Sequence, residues 1–335
     1  MSAPRARGAG FTLLPVILAM SLVAAIAFLL NRDNVVTNEL ISGQSERARA
    51  RYAAEAGLQA ANYAMQAAGC AGGYPTAATP VTDADFGGAS YSAYADAASG
   101  SPRSLSSTGA YKGASVTLTR AGVYVYQSPM KTYTIQPNPA AGIDTHVRKD
   151  EPNKNYGGDN DLELDAGNKQ EILIKFDLSI FPAGSRIIPW YSGGLQPGAT
   201  LDLYKGNSGT STASWIDAQL ITRSWVEGTG SSGSGATWNR YDGVNNWPSP
   251  GVGYDARTIG STAYSGSTGW KVLDITNAAQ AWMGTVTSNY GVWLRSSPSG
   301  VAISNAKYNS SDNSVSGQRP RAVINYLLPC GASAP

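Results

Sequence analysis

The sequence predicts a mainly β protein of the α+β class, with a long N-terminal α-helix, a small antiparallel sheet and a large C-terminal antiparallel β-sandwich or jelly roll. Three observations predict it. Residues 11–30 carry no charge and lead into a proline-free stretch of good helix formers that ends near position 68. All eight tryptophans lie between Trp190 and Trp293, so the two ends of the chain are built differently. Beyond residue 143, short alternating segments are separated by Gly, Asn, Ser and Pro turns.

The long helix is predicted over residues 11–69, and "GCAGGYP" ends it. Its uncharged first twenty residues are long enough, at about 1.5 Å per residue, to cross a membrane. Arg5 and Arg7 precede this run and favour a cytoplasmic N-terminus with the rest of the chain exported. Because no small-residue cleavage site follows the run, an ordinary signal peptide is disfavoured. A simple signal anchor is the plainer alternative.

The N-terminal stretch resembles a known family. A basic leader ending at Gly10 and followed by "FTLL" is similar to the type IV prepilin leader, and "ARYAAEAGLQAA" (50–61) is similar to the PilX-type minor pilin N-terminal region. The resemblance implies cleavage between Gly10 and Phe11, methylation of Phe11 and a helix that serves as a pilin stem. It also implies packing among other pilins through the apolar residues of the first helical turns. These are Leu13, Leu14, Pro15, Ile17 and Leu18.

Pro15 marks a departure from the family pattern, in which the fifth mature residue is usually glutamate. A proline is tolerated in the first turn of a helix, because its missing N–H would lack a partner there anyway. Without the glutamate, the subunit cannot neutralise the N-terminal ammonium of a neighbour. The resemblance therefore implies a position at the filament tip. The implied localisation is a single-pass inner-membrane precursor and then an extracellular pilus.

The predicted domain organisation follows from these patterns and from the seam "TIQPNPAAG" (134–142). Residues 114–136 alternate around an Ala-Gly turn and predict two or three strands of the small sheet. The predicted segments are a leader peptide, the stem helix, a small pilin-like β region with loops, the sandwich and a C-terminal tail. Their bounds are 1–10, 11–69, 70–141, 142–328 and 329–335.

In the C-terminal half, the blocks "DTHVRKDEPNKNYGG", "LIKFDLSIFPAGS", "SWVEGTG…ATWNRYDGVNNWPSPG" and "WKVLDITNAAQAWMG…NYGVWLRS" occur in order over residues 144–327. They resemble successive blocks of the DNRLRE domain, which is related to β-sandwich carbohydrate-binding modules. Alternating strands such as "EILIKFDLS" (171–179) and "YGVWLRS" (290–296) agree with a sandwich. The resemblance implies a carbohydrate ligand, although one fold can host many partners.

Aromatic side chains are the candidate ligand-binding residues, because their flat faces suit the C–H faces of sugars. Trp190, Tyr191, Trp247 and Tyr254 lie in Gly-, Pro- and Asn-rich stretches and are predicted to be exposed. The other tryptophans singled out lie inside strand-like or helical patterns and are predicted to be packed. They are Trp225, Trp238, Trp270, Trp282 and Trp293.

The acidic run "GGDNDLELDAG" (157–167) is a candidate calcium site, because carboxylate and amide oxygens are the ligands that Ca²⁺ prefers. The candidates are Asp150, Asp159, Asn160 and Asp161. The alternative is a plain strand with its acidic face in water. No cofactor is required by the sequence, and calcium is the one possible ion.

Cysteine and histidine usage limits the chemistry. Cys70 and Cys330 are the only cysteines and His146 the only histidine, so soft metal sites and hydrolase triads are unsupported and no enzymatic activity is predicted. In an oxidising compartment the two cysteines could form one disulfide, and the alternative is two unpaired thiols. The net charge of +2 indicates no nucleic-acid partner.

Together these observations predict a minor pilin of a type IV pilus-like filament that displays a sandwich for adhesion or glycan binding. One alternative is a structural subunit that primes pilus assembly and has no ligand of its own. The other is a membrane-tethered enzyme that degrades polysaccharides.

Overall fold

The computed structural model of the protein describes residues 13–97, 101–207, 213–283 and 289–335, without the side chains of 13–19 and 30–40. The chain forms two compact units, Met1–Val123 and Tyr124–Pro335. Each unit is treated by itself below.

The first unit contains one helix and one antiparallel sheet. Helix α1 spans Leu13–Ala68. The sheet has four strands hydrogen-bonded in chain order, β1 (Val81–Phe86), β2 (Ala89–Ala95), β3 (Arg103–Tyr111) and β4 (Ala114–Val123). Consecutive strands are therefore joined as hairpins, which is the simplest antiparallel connection.

Small residues let α1 pack closely on this sheet. Ala50, Ala53 and Ala54 of the helix are fully buried. Opposite them, Gly109 of β3 comes so near the helix that a Cβ atom there would lie 2.1 Å from the carbonyl oxygen of Ala50. Gly57 of the helix is equally confined, because its Cβ would lie 2.3 Å from the Ser107 hydroxyl. The contact thus depends on two backbones approaching without side chains between them.

The predicted fold class, built around a pilin stem, was wrong in that respect. The body of the chain is mostly β and sandwich-like, and no pilin stem is evident among the residues that the structure describes. The fully buried side chains of α1, from Ala50 to Met65, pack in the first unit, where the helix contacts its own sheet. Gly10 and Phe11 lie outside the described residues, as do the side chains predicted to pack in a filament, those of Leu13, Leu14, Pro15, Ile17 and Leu18.

The predicted localisation is also corrected. Within the described part of the chain, no helix includes a stretch that is both long and apolar enough to cross a membrane. This contradicts the predicted single-pass inner-membrane precursor.

The second unit is an antiparallel sandwich, as predicted. The pairing of its first strand with its last strand shows where the unit begins in the sequence. Strand β5 (Lys131–Ile135) pairs with the last strand of the unit through contacts such as Ile135 with Ala322. Residues 124–141 therefore belong with the sandwich, whereas the sequence places a boundary near Gly142. A pairing between strands almost 200 residues apart leaves no local signal in the sequence.

The strands of the sandwich form two sheets. After β5, in chain order, come β6 (Ile143–Arg148), β7 (Asp161–Leu164), β8 (Gln170–Lys175), β9 (Arg186–Ile187), β10 (Trp190–Tyr191), β11 (Leu195–Gln196), β12 (Ala199–Lys205), β13 (Trp215–Ile221), β14 (Tyr254–Ala263), β15 (Gly269–Asp274), β16 (Val292–Ser296), β17 (Ala306–Asn309) and β18 (Arg321–Leu327). Sheet I has the order β5-β18-β12-β17-β7, with β15 also paired to β12 and β9 to β18. Sheet II has the order β14-β13-β16-β8-β6. Strands β10 and β11 form a separate hairpin, and a short helix α2 spans Thr276–Trp282.

The hydrophobic core lies between the two sheets. The alternation of side chains along each strand determines which residues point into it. Ile172 and Ile174 of β8 are buried in it, facing Leu201 and Leu203 of β12 across the sandwich. The next residues along each strand face outward, because successive side chains of a strand point to opposite sides.

The outer face of sheet II carries a second apolar cluster, termed the tryptophan cluster. The loop over residues 222–253 folds back onto this face, and its ends meet where the Thr222 amide donates to the Gly253 carbonyl at 2.9 Å. The members are buried residues of sheet II and of this loop. They are Val147, Leu173, Ile221, Trp225, Ala236, Trp238, Trp247 and Trp293.

A buried carboxyl group, that of Asp144, and a half-buried one, that of Glu227, lie beside each other in the second unit. The backbone N–H of Asp144 donates to Glu227 Oε1 at 2.9 Å, and the backbone N–H of Ser311 donates to Asp144 Oδ2 at 3.0 Å. Burial raises the pKa of Asp144 to about 7. Burial also raises the pKa of Glu227 to about 8, with a further rise from the charges of Asp144 and Asp312. Both groups therefore hold protons in the folded protein at pH values where the unfolded chain has lost them.

We predict that the free energy of unfolding of the second unit falls as the pH rises from about 5 to about 9, and that the double variant Asp144→Asn/Glu227→Gln flattens this dependence. The stabilising contribution is complete at low pH and is lost as the pH passes through the raised pKa values. Urea unfolding followed by tryptophan fluorescence reports on this unit alone, since all eight tryptophans lie in it. Asp255→Asn, at an exposed position, is the control. An unchanged slope in the double variant would contradict the prediction.

For the first unit, we predict that Gly109→Ala destabilises the contact between α1 and β3 by about 1–3 kcal/mol, because the added methyl group meets backbone atoms that cannot move aside cheaply. Hydrogen exchange of the amides from Ala50 to Met65 measures this loss. Gly113→Ala is the matched control, since a Cβ at Gly113 meets no atom within 4 Å. Equal protection in the two variants would show that the close approach is not needed.

Candidate functional site

A cleft of about 170 Å³ opens on the outer face of sheet II, beside the tryptophan cluster. Charged side chains lie next to aromatic rings on its walls. The lining residues come from the turn before β8 and the first residues of that strand, from the loop over 222–253, from the start of β14 and from the end of β16. They are Asp165, Ala166, Lys169, Gln170, Glu171, Trp238, Pro250, Gly251, Val252, Tyr254, Arg295 and Ser296.

Strand register brings the two central charged residues together. In the antiparallel pair β8–β16, Leu173 lies opposite Trp293 and Ile172 opposite Leu294. One step further along the same register, Glu171 and Arg295 become neighbours, and alternation turns both toward the cleft and away from the core. Arg295 Nε lies 3.7 Å from Glu171 Oε1. The sequence therefore positions this ion pair through the pattern of the two strands.

Glu171 is a buried carboxylate held by the protein. Its Oε2 accepts a hydrogen bond from Trp293 Nε1 at 2.6 Å. Burial raises its pKa, while the Arg295 charge and this hydrogen bond act in the opposite direction. A buried carboxylate with one oxygen fixed and the other beside a guanidinium is a rigid hydrogen-bond acceptor.

Arg295 connects this carboxylate to an aromatic wall. Its guanidinium donates to the Tyr254 hydroxyl and lies 5.3 Å from the centre of the Tyr254 ring. Its Nε atom is buried and has no hydrogen-bond partner among the described residues. Burial raises the pKa of Tyr254, as does the charge of Glu171. The cleft thus presents a phenol ring, a fixed cation and a fixed anion side by side.

Trp247 was predicted to be exposed, and that prediction was wrong. The side chain is 3% exposed, its ring lies 5.3 Å from that of Trp293, and its Nε1 donates to the Thr237 carbonyl at 2.9 Å. The glycines around it explain the error. A Cβ at Gly253 would lie 2.3 Å from the Trp247 ring, so these glycines make room for the tryptophan and do not mark a solvent-exposed loop.

The other three aromatic candidates are not brought together. Tyr254 lies in the cleft, where its ring also packs on that of Trp293 at 5.2 Å. Trp190 and Tyr191 are 42% and 80% exposed on the hairpin β10–β11 and do not line the cleft. Ligand binding by this hairpin stays a prediction.

The calcium candidates mostly have other partners. Asp150 accepts from Arg148 Nη2 at 2.7 Å, and Asp161 lies 4.0 Å from Lys307 Nζ. Asp159 and Asn160 use their backbone carbonyls to accept from Ser310. Across the described residues, no three acidic, histidine or cysteine side chains are grouped so that they could hold a metal ion. Calcium binding stays a prediction without geometric support.

Both cysteines, Cys70 and Cys330, are disulfide-bonded.

Sequence reasoning missed Glu171, Arg295 and Trp238 as residues of the cleft. A signal was present for the first two. In "EILIKFDLS" and "YGVWLRS" the apolar alternation defines a core-facing side, and the opposite side carries Glu171 in one strand and Trp293 with Arg295 in the other. Only the pairing of the two strands, which lie about 120 residues apart, shows that these side chains meet.

Comparison with known protein families identifies a family to which the second unit is similar. The sequence profile of carbohydrate-binding module family 96 matches residues 136–326, more than half of the chain, and the match includes every residue that lines the cleft. No curated protein matches the chain as a relative.

Proposed function

Because the chain belongs to carbohydrate-binding module family 96, we propose that its sandwich binds a polysaccharide and that a sugar unit occupies the cleft formed by Tyr254, Trp238 and the Glu171–Arg295 pair. Family membership indicates the class of ligand, and the cleft indicates where on the sandwich that ligand binds. The observation that carries the proposal is the convergence of an aromatic wall and a fixed ion pair in one concave site.

The chemistry of the cleft suits a sugar. A pyranose has apolar C–H faces and an edge of hydroxyl groups, so it is recognised by a flat ring beside groups that both donate and accept. Tyr254 provides the ring. Arg295, whose side chain is about one-third exposed, provides guanidinium donors, and Glu171 Oε1 provides an acceptor. Hydrogen bonds to such charged groups are stronger than those between neutral partners.

Binding without catalysis fits the same geometry. A glycosidase of the usual kind needs two carboxyl groups facing its substrate. The second carboxylate of the cleft, Asp165, accepts from the backbone N–H groups of Asn168 at 2.8 Å and Asn305 at 2.9 Å, so it serves to hold turns in place. Glu171, the other carboxyl group that a glycosidase mechanism would need here, is already paired with Arg295. These contacts favour a binding module over the enzyme considered from the sequence.

The filament role predicted from residues 8–68 has no support from the family match, which covers other residues, and no pilin stem is evident in the described part of the chain.

We expect the full chain to be retarded in native gels that contain at least one of laminarin, xylan, galactomannan, pectin or alginate. Tyr254→Ala should lower the association constant for that polysaccharide by about tenfold or more, because it removes the stacking face. Tyr254→Phe keeps the ring and should remain within about threefold of the wild type.

Tyr63→Ala is the matched control, since Tyr63 is exposed on α1 in the first unit. Its retardation should equal that of the wild type. Two results would contradict the proposal: no retardation by any polysaccharide of the panel, or retardation that survives Tyr254→Ala unchanged.

A further inference from the structure

We propose that the cleft is one end of a longer groove on the outer face of sheet II, with Trp215 as a second stacking position at the far end. The ligand is then an internal stretch of several sugar units and not a chain terminus or a single sugar. This inference rests on the proposed function, which supplies the carbohydrate, and adds the length of chain that the site recognises.

Strand alternation places Trp215 on the same face as the cleft. In β13, Ile216 and Ala218 are buried in the core between the sheets. Trp215, Asp217 and Gln219 therefore point to the outer side. Trp215 is 48% exposed there, in contrast to the buried tryptophans of the cluster.

The neighbouring strand ties Trp215 to the cleft. Asp217 lies opposite Arg295 in the antiparallel pair β13–β16. The Trp215 carbonyl accepts from the backbone N–H of Ser297 at 2.8 Å, two residues beyond Arg295. From the ion pair of the cleft, the outer face thus continues along β13 and β16 directly to Trp215.

The distance between the two aromatic positions sets the length of the ligand. The Tyr254 ring packs on that of Trp293, which is paired with Gln219, and Trp215 lies four residues before Gln219 on the same strand. At about 3.3 Å per residue the two aromatic positions are about 13 Å apart along the strand. One sugar ring is much shorter than this distance, so only a chain of sugars reaches both.

Polar atoms lie between the two rings. Asp217 Oδ1 accepts from the Ser261 hydroxyl at 2.7 Å. Gln219 donates through Nε2 to the Ala256 carbonyl at 3.0 Å, while its Oε1 is buried and, like Arg295 Nε, finds no hydrogen-bond partner in the described part of the chain. Buried polar atoms without partners are uncommon in folded proteins, and here two of them lie on one face between two aromatic side chains. Both atoms are shielded from solvent in this structure, and a rotation of either side chain would bring it to the hydroxyl groups of a bound sugar chain.

The test uses the full chain and oligosaccharides from dimers to octamers, prepared from laminarin, xylan, galactomannan, pectin and alginate. Calorimetric titration gives the association constant for each length. We expect Trp215→Ala to bind dimers as the wild type does and to bind octamers about tenfold more weakly. Trp215→Phe retains an aromatic face and should recover most of the loss. Tyr254→Ala should weaken binding at every length.

Val272→Ala is the control, because Val272 is 45% exposed on the outer face of the other sheet. Tryptophan fluorescence and circular dichroism confirm that each variant is folded. Octamer binding by Trp215→Ala at the wild-type level, with Tyr254→Ala impaired, overturns the groove and leaves the cleft standing. If the wild type binds no oligosaccharide or polysaccharide, the proposed function fails and this inference fails with it.

Discussion

The hydrogen bond from Trp293 Nε1 to Glu171 Oε2, at 2.6 Å, links the packing of the second unit to its proposed site. Trp293 is fully buried at the centre of the tryptophan cluster, and its ring contacts those of Trp247 and Tyr254. A buried indole N–H needs an acceptor, and here that acceptor is the carboxylate that faces Arg295. The same side chain therefore stabilises the cluster, orients the ion pair and supports the aromatic wall of the cleft.

A rigid support of this kind matters for recognition, because a site that is already ordered loses less entropy on binding. The loop over 222–253 provides this rigid support, because it packs on sheet II instead of projecting into solvent. Gly251 and Gly253 allow this closure, since a Cβ at either position would lie within 2.3 Å of the Trp238 or Trp247 ring. Removing the loop contacts would expose the apolar face of sheet II and free the cleft residues together.

The parts of the fold that local patterns encode could be predicted from the sequence. Alternation around Ile172 and Ile174 identifies the strands and their core side, and the family blocks identify the sandwich. What depends on pairing between distant strands could not be predicted. The meeting of Glu171 with Arg295 and the membership of β5 in the sandwich both follow from register alone. Trp247 was misplaced because loop composition describes the backbone and not what the loop covers. The pilin resemblance is likewise a local pattern, and no pilin stem is evident among the described residues.

The most direct test is hydroxyl-radical footprinting of the full chain with and without the polysaccharide that retards it in gels. Bound polysaccharide should lower the oxidation of Tyr254 and Trp215, which lie on one face of sheet II, while Tyr63 in the first unit stays unprotected. Protection confined to Trp190 and Tyr191, or to Tyr204 and Trp270 on sheet I, would show that carbohydrate binds elsewhere and would contradict the assignment of the cleft.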